Sequence, residues 1–422
     1  MSDTASPDSP LSLPVPGDPA GPRHLPDRAV PTEGRAGRRF QPFHMERWQS
    51  RWEHEVEINL SESGVHPLST RELLAMAREA GVVDDGEADR LLDLRHGYGQ
   101  TNGTLELRER IAELYPTGSA EGILVTTGGA EANFATLWRL LDEHRSWAPL
   151  LPTYMQIPGL VPSLGGRVYP LKLDEERGWQ PDLDKVEEAF RAGVRVLLVT
   201  NPVNPTGTTL DPGVVDGLVE LARTHAAWIV ADEVYAGAEA GGKERTPTLL
   251  GRLDRVVATN SLSKAWGLPG LRIGWAATTP DMAEDLWARK DYTTIAPASL
   301  SDALACIALH PRVRPLVLAR TRRIVEANRS VVAEWAEAEG GRVRCGLPDA
   351  GAIALVRYDA EVPSAVLAEH LRARLDVLVV PGEQFGLEGA LRIGFGVPKG
   401  LLEEGLDRVS EALDRVEAGR LG

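Results

Sequence analysis

Residues 261–277 read SLSKAWGLPGLRIGWAA. One lysine, Lys264, and one arginine, Arg272, stand among small and apolar residues directly after the β-rich run DRVVATN. A lysine in a soluble protein is ordinarily a solvated surface group, so the rest of the chain must explain why this one sits in a glycine-bearing turn.

Working outward, the runs GILVTT, WAPLLP, VRVLLVT, AWIVAD and DRVVATN are short, unbroken and β-rich, and helical patterns such as DPGVVDGLVELARTHA separate them. Strands of that kind are buried on both faces. Alternating with helices, they predict a helix-flanked, mostly parallel α/β sheet whose ligand lies at the carboxyl ends of its strands.

Four segments fall at those ends. TTGGAEA begins at Thr126, and its glycine pair at a strand-to-helix junction lets the backbone approach an anion, although such pairs also serve as plain turns. NPVNPTG, from Asn201 to Gly207, fixes a loop with two Asn-Pro steps and can point the Asn204 amide into a cleft. ADEVYAG sets Asp232 at the end of an apolar strand, where a carboxylate is costly without a partner, with Tyr235 three residues on. SLSK places Ser261 and Lys264 on one tight turn. A lysine held among apolar groups gives up its proton more readily and becomes a nucleophile toward an aldehyde, while Arg272 offers a planar fork suited to phosphate. Together these make a phosphate cradle, an amide, a buried acid, an amine and an arginine, which is the set a phosphorylated pyridine aldehyde requires.

The bulk properties restrict the alternatives. With 422 residues, 43% hydrophobic and 25% charged, the chain can bury a large core. Its net charge of −15 argues against a nucleic-acid or anionic membrane partner. Two cysteines form no disulfide framework, and no Cys/His cluster has metal-ligand spacing, so no metal is expected. No apolar signal region opens the chain, and a cytoplasmic location is the expectation. Residues 1–42, proline-rich and poor in large apolar side chains, read as a disordered tail. Residues 43–92 are expected to contribute to a small domain, 93–305 to form a large cofactor domain, and 306–422 to form a C-terminal α+β small domain.

From about residue 45 onward the chain resembles the fold type I pyridoxal-phosphate enzymes of aminotransferase class I/II, on the combination NPVNPTG, DEVY, SLSKAWGLPGLRIGW and LRIGFG. The resemblance implies pyridoxal 5'-phosphate as cofactor, with Lys264 forming the Schiff base and shuttling the proton at the substrate's Cα. It implies Asp232 on the pyridine nitrogen, and Asn204 (its bond to Pro205 cis) with Tyr235 on the ring's 3′ oxygen. Gly129, Ala130, Ser261 and Arg272 would hold the phosphate, and Tyr154 would stack on the ring. Tyr98 would reach the site of a partner subunit in a homodimer. Arg392 would grip the substrate carboxylate, and the backbone at Gly64 would approach the substrate. Amino-group transfer from an L-amino acid to a 2-oxo acid is the leading expectation.

A narrower likeness runs through INLSESGVHPL, KDYTTIAP and VLVVPGEQFG. These are similar to capreomycidine synthase-like cyclases of antibiotic biosynthesis, which eliminate a β-hydroxyl from an arginine-like amino acid and close a ring without a keto acid. The tyrosine of DEVY departs from that pattern and favours transfer. A cofactor-sensing transcription regulator would need a winged-helix segment before the enzyme-like part, which the sequence does not suggest.

Overall fold

The computed structural model describes residues 40–419. Apart from Phe40, Gln41 and Pro42, the tail assigned to residues 1–42 lies outside the described residues. The buried runs form one nine-stranded mixed sheet. Its central strands Ser146–Leu151, Val196–Thr200, Trp228–Asp232 and Val256–Ser261 are parallel neighbours, and Gly274–Ala277 joins the edge strand Ile123–Thr126 antiparallel. Every residue of Val196–Thr200 and Val256–Ser261 is buried, as expected of strands covered by helices on both faces.

Local signals fix the helix ends. Ser69 and Glu72 close a capping box on the helix Thr70–Glu79. The helical stretch after residue 299 divides into Ser299–Leu309 and Arg314–Ala338, because Pro311 can neither donate to the turn before it nor fit beneath it. No helix among the described residues is long and apolar enough to cross a membrane.

A second, antiparallel sheet of Val343–Cys345, Ile353–Tyr358, Ala390–Gly394 and Val380–Pro381 carries the C-terminal part. The N-terminal strand Ile58–Asn59 pairs in parallel with Val377–Leu378, so residues from both ends of the chain share one core. The segment after that strand runs hard against Ala390–Gly394. A Cβ at Gly394 would stand 1.8 Å from the carbonyl oxygen of Glu62, and one at Gly396 would stand 2.0 Å from that of Gly64.

Gly394→Ala is therefore expected to cost roughly 3 kcal/mol of stability, at the upper end of overpacking effects, because backbone on both sides cannot yield. Urea unfolding measures it. Gly400→Ala, where a Cβ would meet nothing within 4 Å, is the matched control and should be near neutral.

Candidate active site

A cavity of about 380 Å³ opens at the carboxyl ends of the central strands. Nine of the residues named from sequence line it together with Arg392 from the second sheet: Gly129, Ala130, Tyr154, Asn204, Asp232, Tyr235, Ser261, Lys264 and Arg272. Segments far apart in sequence, such as Gly129 and Arg392, thus converge on one space.

Asp232 ends its strand buried. Its carboxylate accepts from the Val234 amide (3.3 Å) and from the Asn133 side chain (3.4 Å), both long contacts. Burial, partly offset by these donors and by Lys264, pushes its pKa up to about 6. Such an acid is electrostatically incomplete, and a cationic ring N–H would complete it. Thr259 donates to the Asn133 carbonyl oxygen (2.8 Å), which turns the Asn133 amide nitrogen toward Asp232. Sequence reasoning missed Asn133. The signal was present in GGAEANF, since a helix beginning at Gly129 brings residue 133 round to the same face one turn later.

The cradle is built from backbone and from Arg272. Gly128 has φ 78°, and a Cβ there would lie 2.3 Å from Nη2 of Arg272. Gly274 is equally confined, its Cβ position 2.3 Å from the Gly128 carbonyl carbon. Only glycine at both places lets the guanidinium sit against the start of the helix Gly129–Leu141, where free N–H groups and the helix dipole favour an anion. Arg272 is itself left-handed (φ 50°) and donates to the Pro269 carbonyl (3.0 Å). Glu131 pins the turn by accepting from the Thr127 amide (2.6 Å) and the Thr294 hydroxyl (2.8 Å).

Lys264 departs from expectation. Its amine is not held among apolar groups, because the side chain is a quarter exposed to the cavity and its Nζ lies 3.6 Å from the carboxylate of Glu62. The small residues beside it in sequence pack its backbone, while the amine meets a different segment of the chain. That lysine holds the Glu62 carboxyl below the usual carboxylate range. Gly64 does not line the cavity but packs behind the lysine stem, its Cβ position 3.5 Å from Cδ of Lys264.

Arg392 is almost fully buried. It donates to the Ser61 carbonyl (2.5 Å) and to the Asn204 side-chain oxygen (3.2 Å), and its buried Nε has no partner among the described residues. Burial opposes its charge, and Tyr235, Glu62 and Glu46 support it. The Asn204–Pro205 bond is cis, as the resemblance implied. The Tyr235 ring packs on Gly351.

The helix His44–Trp52 lies along the cavity, which is lined by Met45, Glu46, Gln49, Ser50 and Glu53. These positions recur at three and four residues, so one face of the helix looks inward. Glu46 accepts from the Tyr154 hydroxyl (2.9 Å), whose proton is held well above the usual range by burial and by that carboxylate. Tyr98 is 87% exposed and lies away from this chain's own cavity.

The amine, the buried acid, the anion cradle and the unpartnered guanidinium N–H are the donor set that pyridoxal phosphate and an amino-acid carboxylate need, so the residues present fit the cofactor. Comparison with known proteins agrees. Residues 70–409 match the family "Aminotransferase class I and II". Capreomycidine synthase of Streptomyces vinaceus is 32% identical over 381 residues, covering 89% of this chain and 95% of that protein. The arginine–pyruvate transaminase AruH of Pseudomonas aeruginosa is 30% identical over 322 residues, covering 74% and 80%. A PLP-dependent aminotransferase from Streptococcus suis superposes with TM-score 0.83 at 30% identity, covering 89% of this chain and 98% of that one. The PLP-dependent cyclase OrfR superposes at 0.79 and 28%, covering 91% and 100%. The chain belongs to the class I and II aminotransferase family, with the fold type I architecture and pyridoxal 5'-phosphate as its cofactor.

Proposed function

We propose that the chain acts on an L-amino acid with a cationic, arginine-like side chain, removing a β-hydroxyl and closing a ring through a side-chain nitrogen. One water is lost, one C–N bond forms, and no oxidant or 2-oxo acid is consumed. The observation that carries the substrate class is the acidic inner face of the N-terminal helix, Glu46 and Glu53, set in the same cavity as Arg392. With the α-carboxylate on Arg392, a cationic side chain finds counter-charges on that helix.

When bound, pyridoxal phosphate supplies an electron sink for the bond broken at Cα. In this reading Lys264 carries the cofactor covalently and takes the Cα proton. Asp232, oriented through Asn133 and Thr259, keeps the ring nitrogen protonated. The first turn at Gly129 and Ala130, with Ser261 and Arg272, holds the phosphate. Tyr154 would cover the ring, Asn204 and Tyr235 would hold its 3′ oxygen, and Gly64 packs on the lysine stem. In this reading the chain divides into a large domain, 93–305, and a small domain of 43–92 with 306–422, and works as a homodimer in which Tyr98 reaches the partner's site, in keeping with its exposure. Mixing Tyr98→Phe chains with Lys264→Ala chains checks the shared site. Hybrid dimers, with one intact site, should show more activity per Lys264-bearing chain than the Tyr98→Phe parent.

The second reading is amino-group transfer to a 2-oxo acid, favoured by Tyr235 in DEVY. The likeness to a synthase over 95% of its length and to a cyclase over all of its chain outweighs one tyrosine. The deciding experiment incubates holoenzyme with β-hydroxyarginine and with arginine, each with and without pyruvate or 2-oxoglutarate. A product lighter by one water, formed without any oxo acid, is expected; product that appears only with an oxo acid replaces the first reading with the second.

Glu53→Gln tests the acidic wall. It is expected to raise KM for arginine-like substrates about tenfold, equivalent to roughly 1.4 kcal/mol, while leaving KM for an apolar amino acid within about twofold. Equal changes for both substrates would count against the wall.

A further inference from the structure

We propose that Glu62 is a positioning residue for Lys264, the counter-ion that holds a positive nitrogen at that position and so sets the pH range in which the lysine works. The inference rests on the reading that Lys264 carries the cofactor, and it is independent of which amino acid is the substrate.

The geometry is specific. Glu62 Oε2 lies 3.6 Å from Lys264 Nζ, and about half of its side chain is open to the cavity. Lys264 is the largest influence on this carboxylate, ahead of its burial and of Arg392. The Glu62 backbone is clamped on both sides. The Ser61 carbonyl before it accepts from Gln49 (2.9 Å) and Arg392 (2.5 Å). The Glu62 carbonyl lies under Gly394, and Gly64 after it packs 3.1 Å from the Ser263 carbonyl at its Cβ position. Backbone held on both sides fixes the point from which the Glu62 side chain reaches the amine.

The other charged groups facing the pair are Arg392 on the second sheet, Glu46 and Glu53 on the N-terminal helix, Asp232 at its strand end and Arg272 beyond the lysine. Arg392, like Lys264, favours the charged form of Glu62. The lysine lowers the Glu62 pKa. A carboxylate held 3.6 Å away would stabilise a positive charge on the nitrogen it faces. With cofactor bound, that nitrogen is the one joining protein to ring. With the lysine acting as base at Cα, the same carboxylate would stabilise the ammonium it forms.

The test uses holoenzyme. Borohydride reduction followed by peptide mass spectrometry first asks whether the cofactor is fixed at Lys264. The visible absorbance band is then titrated from pH 5 to 10 in the wild type, Glu62→Gln and Glu62→Asp, a readout that needs no turnover. The midpoint in Glu62→Gln is expected about one pH unit lower than in the wild type, a modest shift because the pair is half-solvated. Glu62→Asp keeps the charge one methylene back and should fall between the two. The ascending limb of Cα hydrogen–deuterium exchange should move to lower pH in the same order. Reduction at a different lysine overturns the Lys264 reading. Reduction at Lys264 with three superimposed titrations overturns the role of Glu62 alone.

Discussion

Lys264→Ala is expected to abolish the visible band of covalently held cofactor and to slow turnover by roughly 10⁴-fold. The amine has two tasks in the proposed mechanism, and alanine performs neither. Loss of a positioned base alone typically costs 10²–10⁴-fold, and loss of the covalent attachment adds to it. The rest of the site should survive, because Asp232, Asn133, Arg272 and the Gly128–Gly129 turn are held by contacts that do not pass through the lysine. Cofactor should still bind without a covalent link, so spectra and turnover together separate a chemical defect from simple loss of cofactor. A variant that kept the visible band and near-normal turnover would refute the assignment.

Arg392→Ala is the second large effect expected, on binding. A buried guanidinium with an unpartnered N–H is poised for a bidentate carboxylate, and removing one partner of such a buried charge pair costs 2–5 kcal/mol. KM should rise about 10²- to 10³-fold. Stability should also fall, by about 1–3 kcal/mol for each buried acceptor left alone, because the Ser61 carbonyl and the Asn204 side chain lose their donor. Arg392→Lys should restore little, since one ammonium cannot replace the planar fork. Steady-state kinetics across substrate concentration, with urea unfolding of the same samples, distinguishes the two effects. Unchanged KM would remove Arg392 from the substrate site.

The parts of the site legible in the sequence are those whose chemistry is local. The turn SLSK, the loop NPVNPTG and the strand end at Asp232 each carry their meaning within a few residues, and the alternation of apolar runs with helices orders them along one sheet edge. The environment of Lys264 was misjudged for the same reason. Its sequence neighbours are small and apolar, but the group its amine meets is Glu62, far earlier in the chain. Glu46 and Glu53 were hidden likewise. MERWQSRWEHEV reads as an amphipathic helix, yet periodicity alone cannot say that its acidic inner face would roof a cavity formed by other segments. Asn133 was within reach, one turn beyond a glycine pair already singled out.

The bond from Arg392 to the Ser61 carbonyl joins residues 331 apart in sequence, and the strand Ile58–Asn59 finds its partner only in Val377–Leu378. During synthesis, the nascent chain can assemble its central sheet while the N-terminal strand still waits for residues the ribosome has not yet released. In the proposed mechanism the cofactor-binding segments are therefore made well before Arg392, which would bind the substrate carboxylate. A premature stop before residue 377 would leave Ile58, Leu60 and their neighbours as exposed apolar surface, a mark for quality-control proteases to act on.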